Sequence, residues 1–259
     1  MALTNVPGTL EIQPKRIPRL PGSRTDSSGK AVSNVLLLSL PDDEYDLIRP
    51  YLEYVDLPQY FVMHEPGQMI EYAYFPNGGM TSLVVLTKDG KSIEVSIVGK
   101  EGMVGTPLGV GMNRGPYRAI MQISGAGTRI SAPGLAMVLP IAPSLRQEIH
   151  SYVMLQGLQT AQVAACNRLH ELEQRLSRWL LMCQDRLDSE NIHLTHEFLA
   201  QMMGSGRPSV TLVTGMLEQR GAIENSRGSI RIIDRKRLEE ASCECYNVIQ
   251  NFNGGLGLK

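Results

Sequence analysis

Cysteine is scarce in this 259-residue chain, with four residues at positions 166, 183, 243 and 245, none before position 166 and no C-x-x-C pair. That pattern excludes a disulfide framework of the kind that staples small secreted domains, and a reducing cytoplasm is the expected setting. Cys243-Glu244-Cys245 supplies two thiolates without a nearby histidine, short of the four ligands of a structural zinc site. No metal is therefore expected, and the cysteines read as buried and inert. No run of 18 apolar residues occurs, so no membrane span is expected, and the first residues lack a signal-peptide core. H-E-x-x-H and G-x-S-x-G are missing. Gly90-Lys91-Ser92 imitates the end of a phosphate loop, but Val85 stands where its first glycine belongs, and the glycines at 109, 111 and 115 miss the dinucleotide spacing by one. No enzyme is expected. A net charge of −1 excludes a polyanion-binding coat over the whole surface.

What remains is a globular composition, 42% hydrophobic and 20% charged, on a chain long enough for two modest cores. The most informative stretch is Leu194 to Arg220. Phe198, Leu199, Met202 and Met203 share one face of a short helix that Thr195 can cap. Gly204-Ser205-Gly206 forms a tight turn, and Arg207-Pro208-Ser209 opens a second helix, where proline is tolerated in the first turn. Val210, Val213, Met216 and Leu217 make its inner face and leave Arg207, Ser209, Thr211 and Leu212 outward. That is a helix-turn-helix pattern, whose second helix enters a DNA major groove. Two β-branched runs about Asn225-Ser226-Arg227-Gly228 follow as a hairpin, completing a winged helix. From Thr195 to Arg237 seven basic residues stand against four acidic ones, a local excess suited to phosphates.

Elsewhere, the fold class reads as α+β: an N-terminal β jelly-roll barrel, a long dimerisation helix and the winged helix-turn-helix. Residues 1–30, rich in proline, read as a flexible tail. A helix is expected from Asp42 to about Ile48, with acids in its first turn. Residues 31–142 then hold the barrel, with strands at Val55–Val62, Tyr72–Phe75, Met80–Leu86, Ser92–Val98 and Arg118–Ile123 separated by turn residues. Residues 143–167 form a long helix whose stripe of Leu145, Ile149, Tyr152, Val153 and Val163, broken by Gln156 and Gln159, calls for a second copy of itself. A hinge near Asn167–His170 opens the DNA-binding part, residues 168–250, with Trp179 in its core; residues 251–259 read as frayed.

This order of parts, with Glu65-Pro-Gly67, Tyr74-Phe-Pro-Asn-Gly-Gly-Met80 and Gly99-Lys-Glu-Gly-Met-Val-Gly105, resembles the Crp/Fnr superfamily of bacterial transcription regulators over roughly residues 35 to 250. The resemblance implies a cytoplasmic homodimer that binds double-stranded DNA, with a cyclic-nucleotide-binding-type N-terminal domain under allosteric control; RNA polymerase is a candidate partner. Its implied DNA contacts are Arg207 on guanine, Ser209 and Thr211 on phosphate or base edges and Leu212 on a thymine methyl, with Ser205 and Gly206 of the turn and Arg227 and Arg231 of the wing. Pro208 and Leu212 replace the family's usual base-reading Glu and Arg, so the half-site is expected to differ. An effector pocket would draw on Glu101, Thr106, and either Arg114 or Arg118 at a phosphate. Gly105-Thr106 stands in place of the Gly-Glu pair that holds a ribose and neither arginine precedes a serine, which argues against cyclic AMP. The lack of cysteine before Cys166 argues against an iron–sulfur cluster. The alternative is a cyclic-nucleotide-responsive signalling module that docks proteins through its winged helix.

Overall fold

The computed structural model describes residues 18–187 and 189–254. The first 17 residues of the expected tail and the last five of the expected frayed end lie outside that range. Residues 18–30 are tied into the fold: β1 (Arg24–Thr25) pairs with β2 (Ala31–Val32) in antiparallel register. Their anchor is polar, which a reading based on apolar content misses. Arg24 is buried, donates to the carbonyls of Leu37 and Leu40 at 2.6 Å each, and pairs with Asp42 at 3.0 Å. Its charge is thereby met by hydrogen-bond acceptors on the segment that follows.

α1 (Val35–Leu38) and α2 (Asp42–Ile48) precede two antiparallel sheets. The strands are β3 (Glu53–Leu57), β4 (Val62–His64), β5 (Tyr72–Pro76), β6 (Met80–Leu86), β7 (Ser92–Val98), β8 (Arg118–Ile123) and β9 (Gly125–Ser131). One sheet has the order β3-β9-β5 and the other β4-β8-β6-β7. The expected run Val55–Val62 splits into β3 and β4 because Pro58 offers no N–H and Tyr60 turns the chain at φ +67°. β9 lies beyond the expected strands, and its glycines weaken any strand pattern. They serve close approach instead: a Cβ on Gly125 would meet the Gly78 carbonyl at 2.2 Å, and one on Gly127 the Phe75 carbonyl at 2.6 Å. Leu57, Phe75, Leu83, Val98, Met121 and Ile130 fill the core. Two short helices complete this part, α3 (Thr106–Gly109) and α4 (Ala132–Val138).

α5 (Pro143–Leu169) has 27 residues and spans about 40 Å. Its first-turn backbone amides at Ser144 and Leu145 donate to the Glu44 carboxylate at 3.0 and 2.9 Å, so α2 caps it. The stripe assigned to dimerisation needs correction. Leu145, Ile149 and Tyr152 are buried in the chain's own β core, with Val153 packed half-buried against it, and Val163 is buried among the residues that follow. Gln156 and Gln159 lie on this inward side because they bond to residues of the N-terminal part: Gln159 donates to Ser96 Oγ of β7 at 2.8 Å, and Gln156 accepts from Thr106 of the helix after β7 at 2.8 Å. The outward face carries Met154 and Leu158, 66% and 38% exposed, in line with exposed Ala161 and Ala165.

Beyond the break at His170 come α6 (Leu172–Leu187), β10 (Asn191–Ile192), α7 (His196–Met203), α8 (Arg207–Gln219), β11 (Ile223–Ser226), β12 (Ser229–Ile232), α9 (Arg235–Ala241) and α10 (Cys245–Gly254), so helix continues through 251–254. The small sheet has the order β10-β12-β11. Trp179 on α6 packs within this part, yet the same core takes in Met80, Val84 and Ile97 from the larger sheet. The two parts therefore share one hydrophobic joint. α10 lies along α5, which brings Cys243 and Cys245 to Cys166 and His170; the cysteine pair does not stand without a histidine after all. Among the described residues no helix is long and apolar enough to cross a membrane.

Candidate nucleic-acid interface

Thr195 caps α7, its hydroxyl accepting the Phe198 N–H at 3.2 Å. Gly204 ends the helix at φ +57°, and Ser205 N–H returns to the Ala200 carbonyl at 2.9 Å, the left-handed stop for which glycine is suited. Pro208 then sits in the first turn of α8, where a missing N–H costs nothing. Leu199, Met202 and Met203 pack against Val210, Val213 and Leu217. Phe198 is half-buried and meets the Tyr60 ring edge-on at 6.2 Å, while Met216 is half-buried and Thr214 takes the deeper place. The threonine is admitted because its hydroxyl donates to the Val210 carbonyl at 3.0 Å.

Outward, α8 presents Arg207, Ser209, Thr211 and Leu212, the last 68% exposed. His196, which the sequence reading passed over, knits this surface together. Its ring nitrogens lie 3.1 Å from Thr211 Oγ1 and 3.2 Å from Asn225 Oδ1, so one side chain joins α7, α8 and the wing. No local pattern marks it; only the crossing of the three elements does. Thr211 is thus held by His196, and Arg231 is held by Glu224 across the hairpin at 2.9 Å. Arg227 sits at the wing tip, beside Gly228 at φ +79°, and Ser205 and Gly206 lie in the turn. Of the seven basic residues counted from sequence, Arg220, Arg231, Arg235 and Arg237 pair with acids. Arg207, Arg227 and Lys236 are exposed and make no ion pair among the described residues. The usable positive charge lies at the start of α8, on the wing and at the start of α9.

Each of the four residues expected at an effector pocket already has a partner. Glu101 pairs with Arg186 of α6 at 2.7 Å. Arg118 pairs with Glu65 at 2.8 Å, and Arg114 donates to the Gly67 carbonyl. Thr106 alone faces α5, where its hydroxyl bonds Gln156 and lies 3.2 Å from the Tyr117 hydroxyl. Burial pushes the Tyr117 phenol up, so it stays a neutral partner there. A separate cleft of about 570 Å³, lined mainly by apolar groups such as Met69, Ile70, Leu108, Met112 and Pro133, contains none of the four.

Residues 174–241 match the model of the Crp-like helix-turn-helix domain. The likeness covers α6 to α9, the helix-turn-helix and the wing. Solved structures of similar fold span about three quarters of the chain. FixK2 from Bradyrhizobium japonicum superposes with a TM-score of 0.65 at 13% identity over 74% of this chain and 98% of its own. CLP from Xanthomonas campestris, described as a c-di-GMP-responsive global regulator, gives 0.62 at 15% identity over 74% of this chain and 99% of its own. A CRP/FNR-family transcriptional regulator from Thermus thermophilus gives 0.59 at 22% identity over 73% and 98%. No curated protein matches the chain in sequence. These likenesses are of fold.

Proposed function

We propose that this protein is a cytoplasmic, sequence-specific DNA-binding transcription regulator that acts as a homodimer on an inverted repeat. The observation that carries the reading is the start of α8: Arg207, Ser209 and Leu212 are exposed together on a helix-turn-helix, flanked by the unpaired Arg227 of the wing. Two such helices related by a two-fold axis fit half-sites about 34 Å apart. Residues 31–142 would form the sensory part, 143–167 the dimer helix and 168–250 the reader. A signal would act by shifting the joint between the larger sheet and α6, and RNA polymerase is the natural protein partner of such a regulator. Nothing in the arrangement favours a phosphate-bearing effector, because Arg118 is already paired with Glu65 and Arg114 with a backbone carbonyl. The protein-docking alternative is not favoured, since it leaves the Crp-like reader surface without a use.

Selection of binding sites from random duplex followed by gel shifts across a salt series tests this. Arg207, Arg227 and Lys236, three cations per chain and six per dimer, set a side-chain slope of log affinity against log salt of about −5. Arg207→Ala should weaken the selected site by about 1–3 kcal/mol and relax one base position. Salt-independent binding, or an unchanged affinity and footprint in that variant, contradicts the assignment.

A further inference from the structure

Outside the reader surface the described residues hold one cluster of metal-ligating side chains that DNA binding leaves unused. Cys166 and His170 stand four residues apart at the end of α5, on one face. Cys243 and Cys245 come from the connection between α9 and α10 and the start of α10. The three sulfurs and the imidazole all lie within 4.8 Å of one another. Cys166 Sγ is 3.5 Å from Cys243 Sγ, and Cys245 Sγ is 3.5 Å from His170 Nδ1. A tetrahedral zinc ion, with sulfur at about 2.3 Å and nitrogen at about 2.0–2.1 Å, puts every pair of its ligand atoms about 3.5–3.8 Å apart. The cluster therefore has the size of a single ion's coordination sphere, slightly expanded.

The surroundings fit as well. A ligating histidine ordinarily gives its second N–H to a carboxylate; His170 Nε2 lies 3.3 Å from the Glu244 carboxylate, leaving Nδ1 toward the sulfurs. Gln162 donates to Cys245 Sγ at 3.0 Å. Three thiolates around a divalent ion carry a net charge of −1. Arg178, buried and without an ion pair among the described residues, is near enough to act electrostatically on Cys166. The three cysteines are buried, which is the closed form of a structural site rather than the open form of a catalytic one.

We propose that Cys166, His170, Cys243 and Cys245 bind one zinc ion that ties the hinge between α5 and α6 to the C-terminal helix. The ion replaces the three thiol protons, which leave to solvent, while neutral His170 binds through the lone pair of Nδ1 and keeps its Nε2 proton. Its place in the fold gives it a role: α5 and α6 meet at His170, and a four-ligand clamp fixes the angle at which the reader leaves the long helix.

The test uses the full chain, reduced and stripped of metal, to which cobalt(II) and then zinc are added. The expected result is a stoichiometric tetrahedral thiolate–cobalt spectrum that zinc abolishes, one zinc per chain by mass spectrometry, and a higher melting temperature with zinc. Cys166→Ser and Cys243→Ser should each lose the spectrum, and Cys183→Ala should keep it. A folded wild-type chain that leaves cobalt in its hexa-aqua form and retains no zinc overturns the proposal, whatever the variants do. A thiolate–cobalt spectrum persisting in both serine variants overturns it too. These readings need no DNA, so they stand or fall separately from the regulator assignment.

Discussion

Glu94 shows how one side chain can set the terms of a joint. It lies on β7 with its carboxylate buried, accepting from Ser82 Oγ, from Gln122 Nε2 at 3.1 Å and from Trp179 Nε1 of α6 at 2.7 Å. Burial raises its pKa to about 7, against the lowering effects of the Ser82 and Trp179 bonds and of the Arg178 and Arg186 charges. A carboxyl whose folded pKa exceeds its unfolded value holds more protons folded than unfolded between the two. Stability is then fullest below about 4.5 and declines as pH rises toward about 7. The decline contributed by Glu94 should be at most about 1.4 kcal/mol per pH unit. Urea unfolding of the wild type and of Glu94→Gln across that window measures it, and equal pH slopes in the two proteins would rule the effect out. Neither this acid nor His196 could be picked out in the sequence. Ser-Ile-Glu-Val-Ser reads as an alternating strand with Glu94 outward, and it is α6, far along the chain, that turns the outward face into an interior.

The elements were far easier to read than their faces. The strands from Tyr72 to Val98 and the helix-turn-helix carry β-branched runs, caps and turn glycines that act locally, so they stand out in sequence. β9 did not, because Gly125 and Gly127 answer to neighbouring backbone rather than to strand propensity. α5 presents the sharper case. Its most apolar stripe suggests a partner, yet that stripe is consumed by the chain's own sheets, and the face left over is the sparer line of Met154, Leu158, Ala161 and Ala165. These positions step by four, three and four residues, the spacing of a two-helix seam, and small alanines let two backbones come close. If the proposed dimer forms there, Ala161→Glu puts two carboxylates into the seam while leaving the monomer's core untouched. Sedimentation should then show monomer at concentrations where the wild type is dimeric, and a dimer of unchanged affinity would place the contact elsewhere.

At the scale of the whole molecule, the sheets and the winged helix form one body through α6. Arg186 and Glu101 are 4% and 13% exposed, and the guanidinium also donates to the Met182 carbonyl at 3.0 Å. Removing one partner of such a pair strands a buried charge, so Glu101→Ala should cost about 3–5 kcal/mol in unfolding free energy. Thermal or denaturant unfolding checks this, and a loss within experimental error would mean that Arg186 is satisfied without it. Contacts of this range, like the meeting of residues 166 and 170 with 243 and 245, depend on tertiary packing that no short window of sequence contains. The joint also has an optical property. Trp179 is the only tryptophan in the chain, it is 1% exposed, and its indole N–H is spent on Glu94. All indole emission from this protein therefore originates at the boundary between its two halves. A screen for small molecules that unseat the reader can be run on the unlabelled chain, by the colour of its own fluorescence.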